Sequence, residues 1–299
     1  MSFATAYGLT LRSNQPIPGA LPRDDRADAD LTITFAQAPD WAARAHANEP
    51  GDGRHYLAYP DDTRFYIDLG ARSIWATWRG PLTLEDTATY LLGPVLGLYL
   101  RLLGHACLHG SAVLIGERCH VFVGPAGSGK STLAAAFAGF GVPVLTEDVA
   151  CIDEAGGAPC VRPGYPRIRL WEDSARLLAA VGSDLPLLTP NWEKRFLELG
   201  GVKAPFASAP APIAAVHVLE PRRAMAAPAA LTPYAGQDAL TRLLANTYGK
   251  RLVDRDMRAH EFAVLGRLAQ AVPVRGLTLA DDGARLPEAC EWIRTHALA

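Results

Sequence analysis

The sequence predicts an α/β protein: a core built around a phosphate-binding loop, preceded by an N-terminal antiparallel β-rich module. Three observations lead there. The stretch VFVGPAGSGKST, residues 121–132, runs three apolar residues into a loop that fits G-x-x-x-x-G-K-[ST] from Gly124 to Ser131, with an alanine-rich helical pattern, Leu133 to Phe140, behind it. That is the strand–loop–helix context such a loop requires. Residues 1–80 alternate apolar and polar positions between turn residues, the mark of strands. One helix after the loop, an apolar run from Val142 to Ile152 carries an acid pair, Glu147-Asp148, at its middle.

Bulk properties narrow the classes. A chain of 299 residues fits a domain plus a smaller partner better than one compact unit. The net charge of −2 gives no basic field to draw in nucleic acid or a membrane surface, so neither is expected as a partner. Cys107, Cys119, Cys151, Cys160 and Cys290 are an odd, scattered set without C-x-x-C, which reads as reduced thiols in a cytoplasmic protein. The N-terminal residues lack a signal peptide's basic start and apolar run. Thr87 to Leu100 is uncharged and mostly apolar, but it is too short to span a bilayer, holds Gly93-Pro94 and ends on Arg101. A buried helix is the expectation.

In chain order, Ala4 to Ser13 and Ala29 to Ala36 read as strands, followed by His55–Tyr59, Arg64–Asp68 and Ser73–Trp78 around short turns. An antiparallel meander is expected. Tyr56, Tyr59, Phe65, Tyr66, Trp75 and Trp78 are read as cross-strand core pairs in preference to a peptide-binding face. Pro81 closes the module at about residue 80. Thr83 with Asp86 approximates a capping box for a connecting helix over residues 81–104. Residues 105–299 then form the core domain, opening with a strand over Cys107 to Ile115 and a hairpin turn at Gly116-Glu117-Arg118. His105, Cys107 and His109 lack further Cys/His partners at ligand spacing, so a metal site there is discounted.

The loop residues Gly124, Pro125, Ala126, Gly127, Ser128, Gly129, Lys130, Ser131 and Thr132 are the candidate nucleotide site. Glycines let successive N–H groups turn towards phosphate oxygens, and the following helix offers its N-terminus to the same charge. Lys130 would reach the β/γ-phosphates and the Ser131 hydroxyl would sit on Mg²⁺. Two adjacent acids in a buried strand cost several kcal/mol unless compensated. Because strand side chains alternate, Glu147 and Asp148 are expected on opposite faces with different jobs, one acid meeting Mg²⁺ or the attacking nucleophile. Arg162, Arg167 and Arg169 in VRPGYPRIRLW, and Arg195 in the basic spot Asn191 to Phe196, are candidate contacts to phosphate or substrate, with a solvated rim as the alternative. Ala204 to Pro212 reads as a flexible link or lid, and Ile213 to Leu219 as a core strand. Two helices are expected from Gly236 to Ala271 around the charged stretch Lys250 to Asp256, then a strand from Val272 to Leu279 and a terminal helix from Leu286 to Ala297.

The succession of His109-Gly110, the strand ending in GPAGSGKST, a helix and Thr146-Glu147-Asp148-Val149 resembles the bacterial HPr kinase/phosphorylase family, relatives of the ATP-dependent phosphoenolpyruvate carboxykinases. The specific part covers roughly residues 105 to 152. The resemblance implies ATP and Mg²⁺, with Asp148 as general base for a serine hydroxyl, His109 as its active-site partner, Lys130 as γ-phosphate clamp, and Ser131 with Glu147 towards the metal. Two departures stand out. Glu147-Asp148 replaces the family's Asp-Asp, and its glutamate- and arginine-containing signature, tied to a second metal ligand and to phosphorolysis, is absent; Pro166-Arg-Ile-Arg-Leu170 comes nearest and lacks the acid. A one-way kinase is therefore expected. Ala6 to Leu21, the ADLTI strand, HGSAV and PGYPRIRLW together resemble the HPr-kinase-like enzymes found with lasso-peptide biosynthesis, which implies phosphorylation of a precursor peptide's C-terminal serine. The expected partner is thus a serine-containing peptide or small protein, with a homo-oligomer left open. A kinase for an HPr-like carrier or a small metabolite, and a nucleotide-gated peptide-binding module with little catalysis, remain the alternatives.

Overall fold

The computed structural model describes residues 1–24, 28–45, 53–155, 157–179, 185–249 and 254–296. The chain opens with a hairpin, β1 (Ser2–Ala6) and β2 (Leu9–Ser13). Tyr7 and Gly8 between them both take positive φ, 54° and 72°, the two-residue turn whose twist matches antiparallel strands. The stretch Ala4 to Ser13 is therefore two strands, not one. With β3 (Leu21–Arg23), β4 (Leu31–Phe35), β5 (Arg54–Ala58), β6 (Arg64–Asp68) and β7 (Ser73–Thr77), it forms a sheet of order β3-β1-β2-β4-β7-β6-β5. This sheet is mixed rather than an antiparallel meander, because β4 runs parallel to both β2 and β7. Period-two alternation tells which residues face the core, but not which way the neighbour runs. Ile33, Phe35, Phe65, Ile67 and Ile74 fill one face, fully buried. On the other, Tyr66 lies opposite both Tyr56 and Trp75, and Trp41 meets Tyr66 edge-on.

The connecting helix comes in three pieces: α1 (Leu84–Tyr90), a wider π turn (Leu91–Val95) and α2 (Leu96–Leu102). Its start is the expected box: Thr83 accepts from the Asp86 N–H, and the Asp86 carboxylate accepts from the Thr83 N–H over 2.8 Å. Pro94 sits in the wide turn, where an i→i−4 bond is not demanded of it.

The core follows with β8 (Ala106–Ile115), β9 (Arg118–Val123), α3 (Lys130–Gly139), β10 (Val144–Thr146), β11 (Val149–Ala155) and β12 (Ala158–Val161). Next come β13 (Arg167–Leu170), α4 (Glu172–Ala179), β14 (Leu187–Thr189), β15 (Trp192–Glu198), β16 (Ala211–Leu219) and β17 (Ala229–Tyr234). The chain continues through α5 (Gly236–Ala245), α6 (Arg255–Ala271), β18 (Val274–Leu279) and α7 (Leu286–His296). β9 pairs with β8 on one side and, in parallel, with β16 on the other, while β8 leads through β11 and β12 back to β16, so the ladder closes on itself. β18 and β17 extend it from β16.

Several expectations change here. Asn191 to Phe196 lies largely in a strand, β15, paired with β13 and β14. Ala204 to Pro212 is not a lid: Val144 N–H donates to Pro205 O over 3.0 Å and Ala207 N–H to Val144 O over 2.9 Å, fastening the segment beside β10. Of the stretch Lys250 to Asp256, residues 250–253 lie outside the described residues, as does Ala297 of the terminal helix.

One apolar core joins the N-terminal sheet and the connecting helix to Cys107, Val149, Cys151 and Tyr165 of the larger domain. The hairpin tip is its wedge: Tyr7 is fully buried, its N–H donates to Gly164 O over 3.2 Å, and its hydroxyl donates to Leu92 O over 2.8 Å. All five cysteines are buried and free. Among the described residues no helix is long and apolar enough to cross a membrane.

Candidate functional site

The loop between β9 and α3 takes the shape its glycines allow. Gly124, Gly127 and Gly129 have φ of 158°, 79° and 96°, values that suit glycine and few other residues. Gly129 is the N-cap of α3 and supplies no side chain to its free N–H groups, which leaves them for an anion. Ser128 Oγ is buried there without a hydrogen-bond partner. Lys130 is buried, and its ammonium donates to Gly124 O over 2.8 Å and Pro125 O over 2.9 Å. Burial pulls its pKa below the usual lysine value, with Asp148 and Glu147 opposing. An uncapped helix start, an orphan hydroxyl and a lysine folded back on the loop fit the phosphates of a nucleotide.

The acid pair stands above this loop, and here the opposite-face expectation is overturned. The apolar run breaks at Glu147 and Asp148, which form a bend between β10 and β11. The pairing with β8 shifts register between Val144 and Thr146 and resumes at Val149 opposite His109. Alternation holds only within a regular strand. Both carboxylates meet one guanidinium: Arg169 Nε lies 3.2 Å from Glu147 Oε2, and Arg169 Nη2 lies 2.6 Å from Asp148 Oδ2. Burial works against the charge of Arg169, but Tyr165, Asp148 and Glu147 outweigh it and push its pKa up.

The two acids still differ in their other contacts. Glu147 Oε1 accepts from the Ser131 hydroxyl over 2.6 Å. Asp148 Oδ1 lies 3.3 Å from His109 Nδ1, and Asp148 Oδ2 accepts from the Tyr248 hydroxyl over 3.1 Å. Burial pushes the Asp148 carboxyl up, yet Arg169 and His109 together hold it well below the usual carboxylate range. Lys194 of β15 feels the same acids; burial and Arg169 lower its pKa, and its ammonium lies 4.4 Å from the centre of the Trp171 ring.

Lys130, Ser131, Glu147, Asp148 and His109 therefore lie together in the structure. The arginines do so only in part. Arg169 is inside the site but spends its charge on the acid pair. Arg167 pairs with Glu198 at 2.9 Å and covers the Phe196 ring, and Arg195 pairs with Glu172 at 2.6 Å. Thr132 turns from the loop, its hydroxyl donating to Ser174 Oγ over 2.8 Å. His105, Cys107 and His109 do not converge, since Cys107 is buried in the core and His109 faces Asp148. No cluster of three or more His, Cys, Asp or Glu side chains suited to a metal occurs among the described residues. Mg²⁺ does not require one, because it commonly takes one or two protein oxygens beside phosphates and water. Ser131 Oγ and Glu147 Oε1, 2.6 Å apart, would offer such a pair. Sequence reasoning missed Tyr248, which sits in a turn with no motif, and the bridging of both acids by Arg169.

No protein-family profile matches the chain, and no curated protein does. Among solved structures it is similar to the Hpr(Ser) kinase/phosphatase from Coxiella burnetii, with a TM-score of 0.35 and 13% identity, over 64% of this chain and 96% of that one. A likeness of this size carries no argument about the reaction, which rests on the residues of the site.

Proposed function

We propose that the protein is an ATP-dependent serine kinase, transferring the γ-phosphoryl group to a serine hydroxyl of a peptide or small protein. The observation that carries this reading is the meeting of a phosphate loop with a carboxylate pair: Ser131 binds Glu147 on one side while Asp148 stands free of the loop on the other. Bound Mg·ATP supplies the transferable group and a divalent charge. Backbone N–H groups at the start of α3, with Lys130, hold and neutralise the phosphates. Ser131 and Glu147 offer oxygens to the metal.

Asp148 is the proton acceptor for the serine hydroxyl, and His109 steadies its outer oxygen. A carboxylate with so low a pKa is a weak base. Phosphoryl transfer through a loose transition state demands little charge on the nucleophile, so a weak acceptor in the right place suffices. Arg169 holds both acids in place and helps keep Asp148 ionised. The specific acceptor we propose, from the sequence resemblance, is the C-terminal serine of a lasso-peptide precursor, met in the cytoplasm without nucleic acid or membrane.

Intact mass of candidate serine peptides after incubation with protein, Mg²⁺ and ATP tests the reading. One added phosphate on a serine peptide, absent with Asp148→Asn, is the expected result. ATP binding without transfer to any serine peptide, carrier protein or hydroxylated metabolite would favour the binding-module alternative instead.

A further inference from the structure

A side chain outside the loop and the acid pair also reaches the proton acceptor. Tyr248, in the turn after α5, donates its hydroxyl to Asp148 Oδ2 over 3.1 Å. Three fixings put it there. Its N–H donates to Cys107 O on β8 over 2.8 Å. Its carbonyl accepts from Arg101 of α2, which is itself gripped by Glu261 of α6 through two hydrogen bonds of 2.8 and 2.9 Å. Both of those side chains are almost wholly buried, 2% and 9% exposed. Finally, the ring lies on Gly97 of α2, where a Cβ would come within 2.6 Å of a ring carbon.

Gly93 does the same one turn earlier: a Cβ there would stand 3.0 Å from both Asp148 Oδ2 and Arg169 Nη1. Residues four apart share a helix face, and glycine in a helix interior costs about 1 kcal/mol relative to alanine. Two glycines on this face thus form a floor on which the tyrosine, the acid and the arginine can sit.

We propose that Tyr248 is a positioning residue for Asp148, set on the Gly93–Gly97 floor, whose hydroxyl pins Oδ2 so that Oδ1 stays turned to the acceptor serine. The inference rests on Asp148 being the proton acceptor. Arg169 alone does not fix the carboxylate, because a guanidinium satisfies either oxygen or both. Tyr248 removes that freedom: with Oδ2 taking the tyrosine and the arginine, Oδ1 is the oxygen left facing His109 at 3.3 Å.

Two measurements test this. In the resting protein, labelled at the tyrosine ζ carbon, Tyr248→Phe identifies the Tyr248 resonance, and Asp148→Ala is expected to shift it; a resonance that does not move overturns the contact. In phosphoryl transfer to a serine peptide, Tyr248→Phe and Gly97→Ala should each lower kcat by about tenfold or more, the worth of a hydrogen bond to a charged group. The KM for ATP and the melting temperature of Tyr248→Phe should stay at the parent values. Unchanged kcat in Tyr248→Phe, or a loss shared equally by kcat and ATP affinity, overturns the positioning role. Failure of the parent to phosphorylate any serine peptide would overturn the reading of the site, and the catalytic part of this inference with it, while the tyrosine resonance still decides the contact.

Discussion

The Ser131 hydroxyl donates to Glu147 Oε1 over 2.6 Å. A hard cation between two phosphates would find both oxygens ready on one side of the loop. Glu147→Gln keeps the shape and removes the charge, so the Mg²⁺ concentration for half-maximal activity should rise by about tenfold or more, the usual size of a lost metal-site contact. Metal titration of ATP turnover checks this. An unchanged Mg²⁺ requirement would remove Glu147 from the metal site.

Lys130→Ala should lower ATP affinity by about tenfold or more, because a charge-assisted contact to phosphate is lost where only backbone dipoles remain. The folded protein should tolerate it, since the ammonium's hydrogen bonds go to two carbonyls of its own loop. Calorimetric titration with a non-hydrolysable ATP analogue reads the first effect and a melting curve the second. Parent-like binding would mean that the loop does not hold phosphate.

Asp148→Asn should bind ATP like the parent and lose transfer by about 10²–10⁴, the worth of a positioned base. Arg169 links the two acids, so some loss in Glu147→Gln is expected too; the difference lies in its rescue by excess Mg²⁺. If excess Mg²⁺ restores neither variant, or both, the two acids do not have separate roles.

Transfer should run forward only. Phosphorolysis needs a second anion held close to phosphoserine, and like charges repel strongly in a dry site unless extra cationic charge is at hand. The arginines of VRPGYPRIRLW are committed elsewhere: Arg162 to Asp153, Arg167 to Glu198, Arg169 to the acid pair. Phosphopeptide incubated with protein, Mg²⁺ and excess inorganic phosphate should yield no pyrophosphate. Its release at a rate near that of the forward reaction would refute this.

Acid should destabilise the fold through a buried pair on neighbouring strands. His120 Nδ1 and His217 Nε2 are 3.1 Å apart, and both side chains are fully buried. Burial lowers their pKa values to about 4 and about 3. The unfolded chain binds protons near pH 6.5 and the folded one does not, so this stability is present above pH 6.5 and drains away as pH falls towards 4. Each pH unit in that window costs up to about 1.4 kcal/mol per group. Replacing both by glutamine, which can pair without titrating, should flatten the fall of melting temperature between pH 6.5 and 4. A drop equal to the parent's would place the acid sensitivity in the carboxylates.

The loop, its strand and helix, and the capping box are legible because each is written in local spacing; the His109–Asp148 partnership comes only from the family resemblance. What the sequence hid depends on tertiary placement. β4 reads the same whether its neighbours run parallel or antiparallel. The acid pair sits in a bend between two strands that no residue nearby announces. Arg169 looked like a phosphate contact, for nothing in RIRL says that its partners lie at Glu147 and Asp148. Tyr248 is found only once Gly97 and Cys107 are seen beside it.

The seat of Tyr7 has a consequence for synthesis. At about 5–20 residues per second, the hairpin tip emerges from the ribosome roughly 160 residues, or about eight to thirty seconds, before Gly164, whose carbonyl accepts its N–H. For that interval the seat of a tyrosine destined for full burial is incomplete, since Leu92 is made but Gly164 and Tyr165 are not. A nascent chain halted after α2 should expose it to chaperones and proteases, and a chain released past β13 should conceal it.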